Sequence, residues 1–119
     1  MPKLIALIKA KPELSRQQFI DYYESNHAPL VKRLLPMIGA YRRNYLSDAD
    51  WQDKRGAFNY DVLTELWFED QPTLDAFYTR IREPDVLAQI RTDEANFLQS
   101  GATRMFEVEE RPRPPGPDE

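Results

Sequence analysis

The chain has 119 residues, with 16 Lys and Arg against 20 Asp and Glu, a single histidine and no cysteine. This length suits one domain, and the net charge of −4 argues against a nucleic-acid partner. The lack of cysteine excludes disulfides and thiolate metal sites. No apolar run reaches the roughly 18 residues of a membrane span. We therefore expect no membrane partner, no signal peptide and a cytoplasmic location.

The first predicted elements are a short strand and a long helix. Residues 4–8 are apolar on both faces, which is typical of a strand that is covered from two sides. Residues 15–35 follow with helical spacing, and Ser15 with Gln18 forms a capping box. Pro29 lies inside this helix and removes one of its hydrogen bonds. The sequence therefore predicts a kink or a break between Asn26 and Pro29.

Two strands and a loop come next. Residues 40–46 alternate with polar groups on both faces, which predicts an edge strand. Residues 47–59, with Trp51 and Phe58, are interpreted as a loop. Residues 60–68 are rich in β-branched and aromatic side chains and give the strongest strand signal in the chain.

The last third of the domain contains two helices and a strand. Asp70 caps a predicted helix to about residue 79, and Pro84 begins another that Gly101 ends. Residues 103–109 form the last strand. The sequence thus predicts one domain over residues 1–109 and a disordered, proline-rich tail over residues 110–119. Binding of the tail to an aromatic groove of a partner is the alternative.

The predicted order of elements is β-α-β-β-α-β, the ferredoxin-like split βαβ pattern of the α+β class. It gives a four-stranded antiparallel sheet with both helices on one face. Because the first and third strands are apolar on both faces, something must cover the second face. The simplest cover is the same sheet of a second copy, so we expect a homodimer.

His27 is the first candidate for proton transfer, since histidine has an unperturbed pKa of about 6.5. Its neighbours on the helix face are aromatic, and we expect the ring to face an enclosed, aromatic-walled pocket. The alternative is a hydrogen-bonded histidine of the core without a chemical role.

Several segments together resemble the EthD-type family of the dimeric α+β barrel superfamily. The resemblance extends over residues 4–109. The matching segments are Asn26-His27-Ala28-Pro29-Leu30, Tyr41-Arg42-Arg43-Asn44-Tyr45, the strand within residues 61–70, and Asp93-Glu94-Ala95-Asn96-Phe97.

This resemblance implies a ferredoxin-like protomer whose sheet pairs with a second sheet to form a barrel. It also implies a small-molecule pocket between the sheet and the helices. Members of the superfamily include cofactor-free monooxygenases of aromatic polyketides, muconolactone isomerases, fungal polyketide decarboxylases or dehydratases, and a heme-binding branch. Fold membership alone does not fix the chemistry.

Other residues are assigned provisional roles around His27. Asp93 is the candidate catalytic partner that orients the imidazole, with a solvated helix position as the alternative. Glu65, in the middle of a strand, needs a partner such as Arg43 if it is buried. The candidate substrate-binding residues are Tyr23, Asn26, Tyr45 and Trp67, each of which has a packing role as its alternative.

We expect no cofactor and no metal. The chain lacks the glycine-rich loops that bind dinucleotides and phosphates, and one histidine without cysteine is a poor metal-ligand set. Heme ligation by His27 is a minor alternative.

The sequence favours a cofactor-independent lyase or isomerase that acts on a small oxygenated, aromatic or lactone-like metabolite. The alternatives are a cofactor-free monooxygenase of phenolic or polyketide substrates and a non-catalytic small-molecule binding module.

Overall fold

The computed structural model describes residues 1–52 and 60–111. One sheet and the helices that cover one of its faces form the domain. In chain order the elements are β1 (Lys3–Ile8), α1 (Arg16–Tyr22), a π-helical turn (Tyr23–His27), α2 (Ala28–Leu34), β2 (Tyr41–Tyr45), α3 (Asp48–Gln52), β3 (Val62–Trp67), α4 (Gln71–Ile81), α5 (Pro84–Glu94) and β4 (Arg104–Val108).

The four strands are ordered β2-β3-β1-β4, and every neighbouring pair is antiparallel. This confirms the predicted ferredoxin-like α+β architecture, with β2 at an edge. Residues that are paired across strands point to the same face. The register therefore separates a helix-facing side, which includes Leu4, Thr64 and Tyr41, from an outer face. The outer face carries Lys3, Ile5, Leu7, Arg42, Asn44, Leu63, Glu65, Trp67, Arg104, Phe106 and Val108.

The long helix after β1 begins as predicted but is not broken at Pro29. Ser15 and Gln18 make both hydrogen bonds of the capping box. The backbone keeps right-handed helical angles through His27 (φ −72°, ψ −47°) and Ala28 (φ −61°, ψ −44°). The prediction was a kink or a break, and the break is wrong because one π-helical turn precedes the proline and keeps the backbone helical. There the Ala28 N–H bonds to the Tyr23 carbonyl, five residues back.

Two element boundaries also differ from the prediction. The segment interpreted as a loop contains α3, and Ser47 Oγ accepts a hydrogen bond from the Asp50 N–H at its start. Residues 53–59, with Phe58, lie outside the described residues. The helix that was expected to reach Gly101 ends at Glu94. Leu98 then forms a bridge to Ala10, and Gly101 turns the chain toward β4 with a φ of 77°.

The core lies between the sheet and the helices in two clusters of buried side chains. One cluster surrounds Phe68 and Phe77, and α4 packs against it. Asp70 caps this helix, as predicted. The other surrounds Phe19, Tyr23 and Phe97, all of which are at most 1% exposed. The second cluster lies against the π-helical turn and places His27.

The start of the predicted tail is attached to the sheet. Glu110 accepts hydrogen bonds from Lys3 Nζ at 2.9 Å and from Trp67 Nε1 at 2.8 Å. Residues 112–119 lie outside the described residues, so the predicted disorder of the tail stays a prediction. Among the described helices, none is long and apolar enough to cross a membrane.

Candidate functional site

The imidazole of His27 is enclosed by aromatic rings. His27 is the last residue of the π-helical turn, and its side chain is 5% exposed. Its ring centre lies 4.8 Å from that of Phe97 and 5.4 Å from that of Tyr23, which it meets edge to face. The aromatic surroundings agree with the sequence-based expectation.

Asp93 meets His27 directly. Its Oδ2 lies 2.8 Å from His27 Nδ1, and it comes from the last turn of α5. A carboxylate can only accept a hydrogen bond, so this contact places the imidazole proton on Nδ1. Nε2 then keeps its lone pair. Within residues 1–52 and 60–111 we find no hydrogen-bond partner for Nε2.

Burial sets the charge of this histidine. The loss of water around the ring lowers the pKa of His27, whereas the Asp93 carboxylate raises it, and the balance leaves the pKa below its ordinary value of 6.5. The imidazole is therefore neutral at pH 7. A neutral imidazole with an oriented Nδ1–H can act as a base through Nε2.

The second oxygen of Asp93 is also occupied. Tyr22 donates its hydroxyl to Oδ1 at 2.6 Å, and Asn96 Nδ2 donates to the same hydroxyl at 2.8 Å. Burial first, and the Asp93 carboxylate second, raise the pKa of Tyr22, so it stays a donor at neutral pH. The sequence analysis did not assign roles to Tyr22 or Asn96.

Tyr23 contributes its ring, rather than its hydroxyl, to the surroundings of His27. Its hydroxyl is 2.9 Å from Thr64 Oγ1 on β3 and accepts a hydrogen bond from Tyr41 at 3.2 Å. Burial raises the pKa of Tyr23. The predicted pocket residue thus connects the π-helical turn to the sheet.

Tyr45 belongs to a neighbouring ionic cluster on the helix-facing side. It donates to Glu24 at 2.5 Å, and Arg43 donates two hydrogen bonds to the same carboxylate, at 2.8 and 2.7 Å. These Arg43 bonds lower the pKa of Glu24. The suggested pairing of Glu65 with Arg43 is wrong, because the register places Arg43 opposite Thr64 and points Glu65 to the outer face.

The remaining two candidates do not lie beside the imidazole. Asn26 is exposed and lines a shallow surface hollow of about 470 Å³ together with Tyr22 and Asn96. Trp67 lies on the outer face, where Lys3 Nζ is 4.3 Å from its ring centre. The structure therefore brings His27, Asp93 and Tyr23 together, but neither Asn26 nor Trp67.

A larger hollow of about 540 Å³ opens between α2 and the edge strand β2. Its lining residues are Glu24, Ala28, Pro29, Lys32, Ile38, Gly39, Tyr41 and Arg43. His27 lines neither this hollow nor the three others found in the described residues. Access of a substrate to Nε2 therefore stays a prediction.

The described residues provide no clear metal site. Within the described ranges, no three His, Cys, Asp or Glu side chains come together in a group that could hold a metal ion. His27 and Asp93 form a pair whose facing atoms are already joined by a hydrogen bond.

The π-helical turn explains why sequence spacing did not identify Tyr22. In an α-helix, residues five apart point in different directions, since neighbours are three or four apart. Hydrogen bonds that span five residues bring such positions closer to one side. Tyr22 and His27 are five apart and both reach Asp93. The spacing of the aromatic residues and the position of Pro29 were the features of the sequence that could have indicated this site.

The fold and the site define a small α+β protein of ferredoxin-like topology with a buried histidine–carboxylate pair. The EthD domain family model matches residues 11–101, so the chain belongs to the EthD family.

Solved structures with this fold include an EthD family protein from Bacillus halodurans, which is 24% identical. Its TM-score is 0.61, with coverage of 93% of this chain and 100% of that chain. An antibiotic biosynthesis monooxygenase is 17% identical, with a TM-score of 0.55 and coverage of 94% and 100%. A dimeric ferredoxin-like protein from a Jannaschia species is 15% identical, with a TM-score of 0.58 and coverage of 92% and 98%. The comparison with curated proteins finds no match.

Proposed function

We propose that this protein is a cofactor-independent enzyme of the lyase or isomerase type. Its substrate is a small oxygenated metabolite, aromatic or lactone-like, and His27 carries the proton. Asp93 orients the imidazole, and the aromatic rings around it exclude water. Membership in the EthD family does not fix the reaction, so the chemistry is argued from the site.

The observation that carries this proposal is the 2.8 Å contact between His27 Nδ1 and Asp93 Oδ2 inside an aromatic enclosure. It holds one tautomer and leaves Nε2 with an available lone pair. A positioned acid–base group of this kind contributes about 100- to 10,000-fold to a rate.

The reaction that suits such a base is proton abstraction from carbon next to a carbonyl group. Nε2 takes the proton, and the C–H electron pair forms an enolate on the substrate. The imidazolium then returns the proton to another carbon, which moves a double bond, or to a leaving group, which completes an elimination. In the decarboxylation of a phenolic acid, Nε2 first takes the phenolic proton, and the resulting imidazolium returns a proton to the ring carbon from which CO2 departs.

Two substrate probes test the proposal. A butenolide lactone in D2O reports deuterium exchange by NMR, and a dihydroxybenzoate reports release of CO2. We expect at least one reaction to run faster with the protein than in buffer, and His27→Ala to lower that rate about 100- to 10,000-fold. Turnover that survives in His27→Ala, or rates equal to buffer with both probes, would contradict the assignment for these substrate classes. Oxygen uptake with the phenolic probe would instead indicate a cofactor-free monooxygenase.

A second candidate function is small-molecule binding without chemistry. It is favoured by the hollow of about 540 Å³ that His27 does not line. The wall of this hollow carries the positive charges of Lys32 and Arg43 and the negative charge of Glu24. The resulting excess of positive charge suits a small oxygenated anion. This candidate predicts that the dihydroxybenzoate raises the melting temperature by mass action without forming product, and that Lys32→Ala weakens the effect.

We also propose that the protein acts as a homodimer joined through the outer faces of two sheets. Phe106 on this face is 43% exposed, and Ile5, Leu7 and Leu63 are only partly buried. Such an apolar surface is typical of an interface. Sedimentation should give twice the protomer mass, and Leu63→Glu should give the protomer mass. A wild-type protein that sediments as a monomer would contradict this.

A further inference from the structure

We propose that Tyr22 is the positioning residue of the His27–Asp93 pair. This inference rests on the proposed function, since it concerns the same acid–base group. Tyr22 fixes the carboxylate so that Asp93 presents one oxygen to His27 Nδ1. Tyr23, which sequence spacing favoured, does not do this, because its hydroxyl bonds to Thr64 and Tyr41.

The two oxygens of Asp93 have one partner each. Tyr22 donates to Oδ1 at 2.6 Å, and His27 Nδ1 lies 2.8 Å from Oδ2. A carboxylate held at both ends cannot rotate about its terminal bond without losing a hydrogen bond. The Tyr22 hydroxyl therefore fixes the plane in which Oδ2 meets the imidazole.

The Tyr22 hydroxyl is itself held in one orientation. Asn96 Nδ2 donates to it at 2.8 Å, so the hydroxyl accepts from the amide and directs its own proton to Asp93. The Tyr22 ring packs on Phe97, with ring centres 5.1 Å apart. These contacts fix the donor before any substrate is present.

The backbone around the pair supports this arrangement. Asp93 and Asn96 are three residues apart at the end of α5, and the Asn96 N–H bonds to the Asp93 carbonyl at 3.0 Å. Tyr22 ends α1 and His27 ends the π-helical turn, and both side chains reach the same carboxylate. The C-terminal end of α5 and the residues just after it thus supply Asp93 and Asn96, and the end of α1 with the π-helical turn supplies Tyr22 and His27.

The sole histidine makes the test direct, because 15N-labelled protein gives a single pair of imidazole nitrogen signals. We expect the wild type to show the tautomer with the proton on Nδ1. Tyr22→Phe should give a mixture in which the tautomer protonated at Nε2 is clearly populated. The same variant should lower the turnover number about tenfold, with little change in KM.

Two further variants separate positioning from a general effect on the fold. Tyr78→Phe on α4 removes a hydroxyl that hydrogen-bonds to Glu107, away from the site, and should leave the imidazole signals unchanged. Asn96→Ala removes the donor to the Tyr22 hydroxyl, together with a 3.5 Å hydrogen bond to the Thr92 carbonyl, and should give a smaller tautomer shift in the same direction. It also serves if Tyr22→Phe does not fold.

An unchanged tautomer in folded Tyr22→Phe, or in Asn96→Ala if the first variant does not fold, overturns the inference. This readout needs no substrate. Failure of the proposed function would instead appear as turnover that survives His27→Ala, so the two failures are distinguishable.

Discussion

The two faces of the sheet use their polar groups in different ways. On the helix-facing side, hydroxyls, an imidazole and a carboxylate form hydrogen bonds among buried aromatic rings. On the outer face, Lys3 lies between Glu65 at 2.6 Å and Glu110 at 2.9 Å, beside apolar residues that remain partly exposed. The hydrogen-bond network on the helix-facing side can hold a proton at a defined nitrogen. The ion pairs on the outer face can fix how a partner aligns with the sheet. The predictions below test this difference.

The largest effect is expected in the helix-facing core. Phe97 is fully buried and contacts the rings of His27 and Tyr22, so Phe97→Ala should lower the free energy of unfolding by about 3–5 kcal/mol. Urea denaturation measures this. The matched variant on the outer face, Phe106→Ala, should cost about 1 kcal/mol when both variants are measured in the monomeric Leu63→Glu background, because that ring is 43% exposed in the protomer. Equal losses would remove the distinction between the two faces.

On the outer face, Lys3→Met should lower the free energy of unfolding by about 1–3 kcal/mol, since it leaves Glu65 without its cation. The Lys3 side chain is 7% exposed although it carries a charge. Burial lowers the pKa of Lys3, but Glu65 and Glu110 outweigh that effect and raise it.

A double-mutant cycle checks the pairing of Lys3 with Glu65. Lys3→Met combined with Glu65→Leu should recover part of the lost stability, because no charge is then left unpaired. Strictly additive losses in urea denaturation would show that the two side chains are not coupled.

The free energy of unfolding should depend on pH through His27. The unfolded chain protonates His27 near pH 6.5, whereas burial holds the pKa lower in the folded protein. Between these two values the unfolded state binds more protons, so the free energy of unfolding falls as the pH drops through 6.5. The slope is at most about 1.4 kcal/mol per pH unit.

His27→Gln should remove this part of the pH dependence, because glutamine does not titrate. The comparison uses urea denaturation of both proteins between pH 8 and pH 5, on the order of three pH units that bracket the titration of histidine. Parallel curves for the two proteins would show that folding does not perturb His27.

The smallest effect is expected at the edge of the helix-facing side. The Glu24 and Arg43 side chains are 39% and 23% exposed, so Glu24→Gln should cost less than about 1 kcal/mol. Added salt should reduce the difference from wild type. A loss as large as that of Phe97→Ala would show that this cluster belongs to the core.

The sequence predicted those features that local chemistry controls. The Ser15 capping box, the Asp70 cap and the strand β3 were all predicted correctly, because each depends on residues close together in the chain. The order of the strands in the sheet followed from the predicted β-α-β-β-α-β order of elements along the chain. The α3 helix was missed, since its five residues carry a weak signal.

The details of the site depended on contacts that spacing does not encode. The meeting of His27 with Asp93 joins residues 66 positions apart, and the role of Tyr22 depends on a π-helical turn. An α-helical spacing of four residues between Tyr23 and His27 favoured Tyr23 instead. The pairing of Lys3 with Glu65 depends on the register between β1 and β3.

One measurement tests the central claim most directly: the pKa of His27 from NMR titration compared with the pH dependence of deuterium exchange on the butenolide. The account predicts an exchange rate that rises with pH and is half-maximal at the NMR pKa, below 6.5. A rate without an inflection at that pKa, or a His27 that titrates above 6.5, would contradict it.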